Sequence, residues 1–412
     1  MNNPPSSQSE KTSSETNLPL HGIRVLEMGQ LIAGPFAGQI LAAFGAEVVK
    51  IEPPGRGDPL RTWRELDEQG TSYWWRSIAR NKKSLTLDLS KPEGCEIARQ
   101  LLARSDVLVE NFRPGRMEAW GLGPEVFKKD HPELIYARVS GYGQDGPYAG
   151  KPGFASACEA VGGLRYMNGH PGQKPVRMNI SLGDSLAGMH AAMGVMLALI
   201  SRLRNGGTGQ GVDVSIMDSV FNMMEGVLPE YAEAGVIREP SGSTVTGIVP
   251  TNTYACSDGR YIVIGGNGDS IFQRLMRAVG RADMADDKRL MDNQGRVKHE
   301  SLIDAALSDW CESVTSTQAL AALEAADVPA GPVNSIADIV NDEQFKARGV
   351  FEQVDVEGQS RTVPAMHPKL EVGTATTRWA GPALGEHTTD VLTSWLGVDA
   401  SQIRQWQAER LI

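Results

Sequence analysis

The sequence predicts an α/β fold, in which a large doubly wound domain on a parallel sheet is joined to a smaller α+β domain. Three observations predict it. Short apolar runs alternate with helix-length segments from residue 22 to residue 217. The first of these runs form a β-α-β unit, whose right-handed crossover implies parallel strands. After residue 240 the pattern changes to a hairpin followed by helices. A chain of 412 residues can bury more than one core.

Taken in order, residues 22–28 (GIRVLEM) read as a buried strand, and 36–44 as a helix with Pro35 in its first turn. Gly45 stops that helix, and 46–52 (AEVVKIE) is a second strand ended by Pro53-Pro54. Strands at 85–89, 107–110 and 134–140 continue the alternation, with a helix at 94–103 between the first two. A helix at 185–204 ends in Arg202, Arg204 and Asn205-Gly206-Gly207, a basic last turn followed by glycine. A strand at 209–217 and a helical run at 218–233 follow. Residues 253–255 and 261–264 make a hairpin, and helices begin near Ser270, Leu302 and Thr317. The run from Val328 to Val333 (VPAGPV) reads as a stiff linker. The expected organisation is a disordered tail at 1–17, a large domain at 18–215, a linker helix at 216–239 and a small domain at 240–330. Residues 331–412 then return to the large domain.

Composition narrows the function. A net charge of −10 argues against broad nucleic-acid or anionic-membrane binding, yet the 40 Lys and Arg residues suffice for a local basic pocket. The longest apolar stretch, 191–200, is too short to span a bilayer, and the first 17 residues lack the apolar core of a signal peptide. Cys95, Cys158, Cys256 and Cys311 lie far apart with no metal-ligand spacing. They read as idle thiols in a reducing cytoplasm, with neither a zinc site nor a structural disulfide.

Asp184 carries the most chemical information. It sits on a glycine turn in SLGDSLAGMH, before a helix of small residues that leaves a carboxylate accessible. Asp at such a place is also a favoured N-cap, and the two roles coexist because a helix N-terminus keeps a carboxylate ionised. A nicotinamide enzyme is the rival reading, with Glu52 at the ribose position. However, Gly29, Gly34 and Gly38 do not have the G-x-G-x-x-G spacing. Lys82-Lys83 and Asn111-Phe112-Arg113-Pro114-Gly115-Arg116 would bring cations to the sheet's ends, where Arg113 and Arg116 can clamp phosphate. Core packing is the expectation for most of Trp63, Tyr73, Trp74 and Trp75. His190 lies six residues beyond Asp184, nearly opposite it on a helix, so the two do not form a dyad.

Ordered runs then resemble the class III CoA-transferase family, which also contains α-methylacyl-CoA racemases. They include LHGIRVLEM, AGPFAGQILAAFGAEVVKIEPPGRGD, NKKSLTLDL, VLVENFRPG, YARVSGYGQDGPY, SLGDSLAGMHAAMGVMLAL and DVPAGPVNSIADIVNDEQFKARG. The resemblance implies an interlocked homodimer that binds acyl-CoA and a small carboxylic acid, with CoA thioester as substrate and no tightly bound cofactor or metal. It implies Asp184 as nucleophile, passing through aspartyl anhydride and aspartyl-CoA intermediates. Family CoA contacts carry over onto Leu31, Ile32, Ala33, Leu87 and Asn111, with Arg113 for phosphate and Tyr142 near the thioester. Gly265, Gly266, Asn267 and Gly268 match the position of a substrate lid. Pro53 stands where many members have a basic residue, which puts that phosphate contact in doubt. The racemase branch has a histidine where this chain has Phe154, which cannot carry a proton. The IVPTN…GGNGD region resembles the dicarboxylate branch, which uses succinyl-CoA with glutarate, citramalate or malate, more than the formyl- or acetyl-CoA:oxalate branch. Arg76, Arg165 and Arg177 are available for an acceptor's distal carboxylate.

Overall fold

The computed structural model describes residues 17–412, so the expected N-terminal tail lies, apart from Asn17, outside the described residues. The chain divides into two units. One comprises 17–164, Met178–Glu225 and Ala347–Ile412, and the other Arg165–Arg177 and Gly226–Lys346. The second unit thus begins earlier than residue 240, ends later than 330 and takes in a segment at 165–177.

The first unit is built on six strands: β1 (Arg24–Glu27), β2 (Glu47–Glu52), β3 (Lys82–Thr86), β4 (Val107–Glu110), β5 (Ile135–Ser140) and β6 (Gly211–Ser215). They pair in parallel in the order β3-β2-β1-β4-β5-β6. The pleat sends alternate side chains to opposite faces. Val25, Val48, Val107 and Ile135 share a core with the helices Ala33–Ala43 and Leu182–Arg204. Leu26, Val49, Leu108 and Tyr136 share the other with the helices Pro92–Leu102 and Thr388–Leu396. The chain runs from β1 through β2 to β3 on one side and then crosses back to β4, β5 and β6 on the other, so the sheet has a switch point between β1 and β4. In open α/β sheets, ligands bind outside the carboxyl ends of the strands at such a point.

The Leu182–Arg204 helix is long and apolar enough, by length and composition, to cross a membrane. It buries Ala187, Gly188, Ala191, Ala192, Val195 and Ala198 in the core of the first unit. Its other face exposes Met189, Met193, Leu197, Ile200 and Leu203. The expected helix at 218–233 is instead two, Ile216–Phe221 and Val227–Ala234, interrupted where Glu225 adopts φ +48°.

In the second unit β7 (Thr251–Ala255), β8 (Tyr261–Gly265) and β9 (Ala330–Pro332) form an antiparallel sheet. Helices Asp269–Ala278, Glu300–Ser313 and Ser316–Ala325 supply Phe272, Leu275, Leu307 and Leu323 to one core with Ile262 and Ile264. The run expected as a linker therefore contains a strand. Its prolines are tolerated because β9 lies at the sheet edge. A further hairpin, β10 (Phe351–Val356) and β11 (Gln359–Pro364), belongs to the first unit.

Candidate active site

At the switch point the loop that follows β1 meets the residue that follows β4. Asn111, just past β4, accepts from the Gln30 N–H at 2.7 Å and donates to the Gln30 carbonyl at 2.8 Å. The close approach depends on small residues. A Cβ on Gly29 would stand 2.7 Å from Asn111 Oδ1, and one on Gly34 3.3 Å from the Asn111 side chain. Leu31 has a left-handed backbone, φ +64°, and its N–H donates to Asp58. Ile32 and Ala33 are buried where the first helix begins. The structure therefore brings Leu31, Ile32, Ala33 and Asn111 to one place. Leu87 lies just past β3 at the same edge of the sheet, its N–H donating to Glu52 O, but its side chain is buried. Arg113 is exposed, two residues beyond Asn111.

Asp184 sits on the neighbouring helix. It is the third residue of Leu182–Arg204 and not its cap, since that position falls to Ser181, whose side chain makes no capping bond. The buried Glu159 supplies the acceptor instead, taking the Gly183 N–H at 3.0 Å. Gly183 must be small, because a Cβ there would stand 2.8 Å from Glu159 Cγ and 3.0 Å from Ile216 Cγ2. One turn further along, a Cβ on Gly188 would stand 2.8 Å from Ala33 O and 3.0 Å from Phe36. Asp184 thus lies one helical turn, about 5.4 Å along the axis, from the point where its helix meets Ala33.

The Tyr142 ring and the Cys158 thiol lie side by side against Gly153, where a Cβ would stand 3.3 Å from the one and 3.2 Å from the other. Burial pushes the Cys158 thiol up, and the nearby Asp184 and Glu159 carboxylates add to this while Tyr142 opposes it. Burial and Cys158 likewise raise the Tyr142 phenol. The backbone closes over this pair at Gly141 and Gly153, where a Cβ on either would stand 2.9 Å from the other's Cα. Tyr142, Cys158, Glu159 and Asp184 thus form one cluster. Sequence reading passed over Cys158 as idle and did not single out Glu159. The distinguishing signal is tertiary, for neither has a neighbour in sequence that marks it.

Several sequence expectations change. Glu52 cannot reach a ribose, because Arg61 binds its carboxylate at 2.7 Å through both Nε and Nη2, and the Ser84 hydroxyl donates to it as well. Lys82 is buried against Glu27 at 2.7 Å, and Lys83 pairs with Glu47 and Asp390, so neither is available for phosphate. Arg76 is buried against Asp67 at 2.9 Å and cannot serve an acceptor. Of the four aromatic residues, only Trp75 is fully in the core. Trp74 is partly buried beneath the Arg64 guanidinium, while Trp63 and Tyr73 are exposed.

In the second unit, Gly265 and Gly266 donate their N–H groups to Pro329 O and Pro250 O, both at 2.9 Å. The fully buried Arg296 donates to Asn267 O at 2.6 Å. The glycine loop is therefore anchored, and those two amides are not free to meet a substrate. Arg165 and Arg177 belong to this unit as well. The free Cys256 and Cys311 thiols are buried in one core there, although sequence alone set all four cysteines apart. Among the described residues, no group of three or more His, Cys, Asp or Glu side chains could hold a metal ion.

The sequence model of CoA-transferase family III matches residues 20–388. Succinyl-CoA–D-citramalate CoA-transferase of Chloroflexus aurantiacus is 42% identical over 395 residues, covering 96% of this chain and 98% of the relative. Succinate–glutarate CoA-transferase of Agrobacterium fabrum is 33% identical, covering 91% of this chain and 95% of that one. The crystal structure of a CAIB/BAIF family protein from Brucella suis superposes with a TM-score of 0.82 at 32% identity. It covers 92% of this chain and 100% of its own.

Proposed function

We infer the reaction from one premise: the chain belongs to CoA-transferase family III and is a CoA-transferase. We propose that it moves CoA from succinyl-CoA to a small dicarboxylic acid of the citramalate, malate or glutarate class. The observation that carries this reading is the place of Asp184, in the first turn of a helix and one turn from where that helix packs on Ala33. The names of the relatives support the substrate class.

The proposed chemistry is covalent and keeps the activation of the thioester. An Asp184 oxygen attacks the succinyl-CoA carbonyl, the C–S bond breaks and CoA thiolate leaves, giving a mixed anhydride. The thiolate attacks the aspartyl carbonyl, succinate departs and Asp184 carries CoA as a thioester. The acceptor carboxylate attacks that thioester, forming a new anhydride and releasing thiolate again. Attack of the thiolate on the acceptor's acyl carbon yields the new acyl-CoA and restores Asp184. The partial positive charge at a helix N-terminus favours an anion in the first turn, where Asp184 sits.

Leu31, Ile32, Ala33 and Asn111 are the proposed CoA contacts, with Leu87 at the same sheet edge, Arg113 for phosphate and Tyr142 near the thioester. Gly265, Gly266, Asn267 and Gly268 are the proposed lid that keeps water from the intermediates. We propose a homodimer, supported by the apolar face that Met189, Met193, Leu197, Ile200 and Leu203 expose. The cytoplasm is the proposed compartment, in keeping with four free cysteines, three of them buried.

The test is an exchange assay of the purified chain with succinyl-, acetyl- and formyl-CoA against a panel of acids, with Asp184→Ala as control. Succinyl-CoA with a four- to six-carbon dicarboxylate should react fastest. Formyl-CoA with oxalate as the best pair would refute the substrate class. A branched 2-methylacyl-CoA in heavy water should gain no deuterium at its α-carbon, since Phe154 carries no proton. Deuterium entering at catalytic rates would identify a racemase.

A further inference from the structure

The loop from Gly29 to Pro35 is held from below by a buried group of charges that the transfer chemistry does not use. Glu27, Lys50, Asp58 and Lys82 are each at most 1% exposed. Lys50 pairs with Glu27 at 2.9 Å and Asp58 at 3.0 Å, and Lys82 pairs with Glu27 at 2.7 Å. Two positive and two negative groups balance, which is the condition under which buried charges persist. Burial alone would raise the Glu27 carboxyl, but the Lys50 and Lys82 ammoniums hold it below its usual range.

Each charge except Glu27 also grips the loop's backbone. Lys50 Nζ donates to Gly29 O at 2.6 Å, and Lys82 Nζ to Pro35 O at 2.6 Å. Asp58 accepts from the Leu31 N–H through both carboxylate oxygens, at 3.2 and 3.1 Å, and from the Leu60 N–H at 2.9 Å. With the Asn111 clamp on Gln30, the backbone is tied at Gly29, Gln30, Leu31 and Pro35. The most informative point is Leu31. A left-handed backbone costs a residue with a Cβ about 1–2 kcal/mol, and such conformations persist where the surroundings over-determine them.

We propose that Asp58 and Lys50 are positioning residues for CoA: they fix the Gly29–Pro35 loop in its bound shape before the ligand arrives. The inference rests on the reading that Leu31, Ile32 and Ala33 contact CoA. A loop already in its binding conformation spares the ligand the cost of ordering it. Without the Asp58 charge, the Leu31 N–H loses its strong acceptor and Lys50 loses one of its two anions. The loop then relaxes away from φ +64°.

The test uses the full chain carrying Asp58→Asn, which keeps the shape of the side chain and removes its charge. Coenzyme A alone is titrated by calorimetry, KM is measured for donor and acceptor, and amide exchange is followed at residues 29–35. We expect CoA to bind about tenfold more weakly, in line with loss of a hydrogen bond to a charged group. Donor KM should rise while acceptor KM and kcat change by less than about twofold, well within that tenfold effect. Exchange at 29–35 should accelerate in the free variant and slow again when CoA is added. If Asp58→Asn does not fold, Lys50→Arg, which keeps the charge but displaces the bond to Gly29, is read in the same way. A variant that binds CoA as tightly as wild type, or weakens donor and acceptor equally, overturns the inference and leaves the CoA reading intact. A wild-type chain that binds no coenzyme A overturns both.

Discussion

Asn111 holds Gln30 by both of its backbone polar atoms, accepting its N–H at 2.7 Å and donating to its carbonyl at 2.8 Å. The bond spans 81 residues of sequence and ties the end of β4 to the end of β1, across the switch point of the sheet. Asn111→Ala should lower stability by about 1–3 kcal/mol, because two backbone groups lose their partner. It should also weaken CoA binding by about tenfold, for the same loss. Thermal unfolding and CoA titration on one sample measure both. Unchanged CoA affinity would detach the switch point from the ligand.

The Glu159–Gly183 contact sets the start of the helix that bears Asp184. Gly183→Ala would place a Cβ 2.8 Å from Glu159 Cγ and push the first turn aside. The expected cost is about 1–3 kcal/mol in stability. A displacement of about 1 Å should also reduce kcat by roughly a hundredfold, with a smaller change in KM. Steady-state kinetics on the folded variant decide it, and wild-type kcat would contradict the proposed placement of the nucleophile.

Glu110, at the end of β4, gives a pH signature. Burial pushes its carboxyl up from 4.5 to about 7, against the Phe112 N–H and the Arg138 guanidinium, which favour the charged form. The folded pKa is above the unfolded one, so this contribution is full below about pH 4.5 and is lost as pH rises through about 7. Glu110→Gln should therefore flatten the fall in stability across that interval. Denaturant unfolding at several pH values measures it, and an identical slope in the variant would refute the assignment.

The apolar stripe on the Leu182–Arg204 helix predicts self-association. Leu197 is 59% exposed and Leu203 84%, a large apolar face for a single chain to leave in water. Wild type should sediment as a dimer at micromolar concentration, and Leu197→Glu should shift it toward monomer. A wild-type chain that sediments as a folded monomer would count against the dimer.

Much of the fold was legible because strands such as Val107–Glu110 declare themselves by composition, and the structure has that strand at the same bounds. β3 was read three residues late because its first residues are Lys82 and Lys83, and nothing local shows that Glu27 makes a buried lysine tolerable. β9 was hidden by Pro332, which an edge position explains. Asp184 was visible as a carboxylate on a glycine turn. That its helix begins at Leu182 was not, since the acceptor for Gly183 comes from Glu159, 24 residues upstream. Lys50 and Asp58, beneath the Gly29–Pro35 loop, lay in plain sight in AEVVKIEPPGRGD, yet the buried Glu27 and Lys82 are brought to them by register between parallel strands.

The central claim is that Asp184 is covalently acylated during transfer. The most direct measurement incubates the enzyme with succinyl-CoA, traps activated carboxyl groups with hydroxylamine and maps the product by peptide mass spectrometry. The account predicts a hydroxamate on Asp184 that appears only with the donor. It also predicts that Asp184→Asn, folded and able to bind CoA, gives no hydroxamate and at least a thousandfold slower exchange, an order-of-magnitude estimate for a lost nucleophile. Rapid exchange with no modification at Asp184, or with the hydroxamate on another residue, would contradict it.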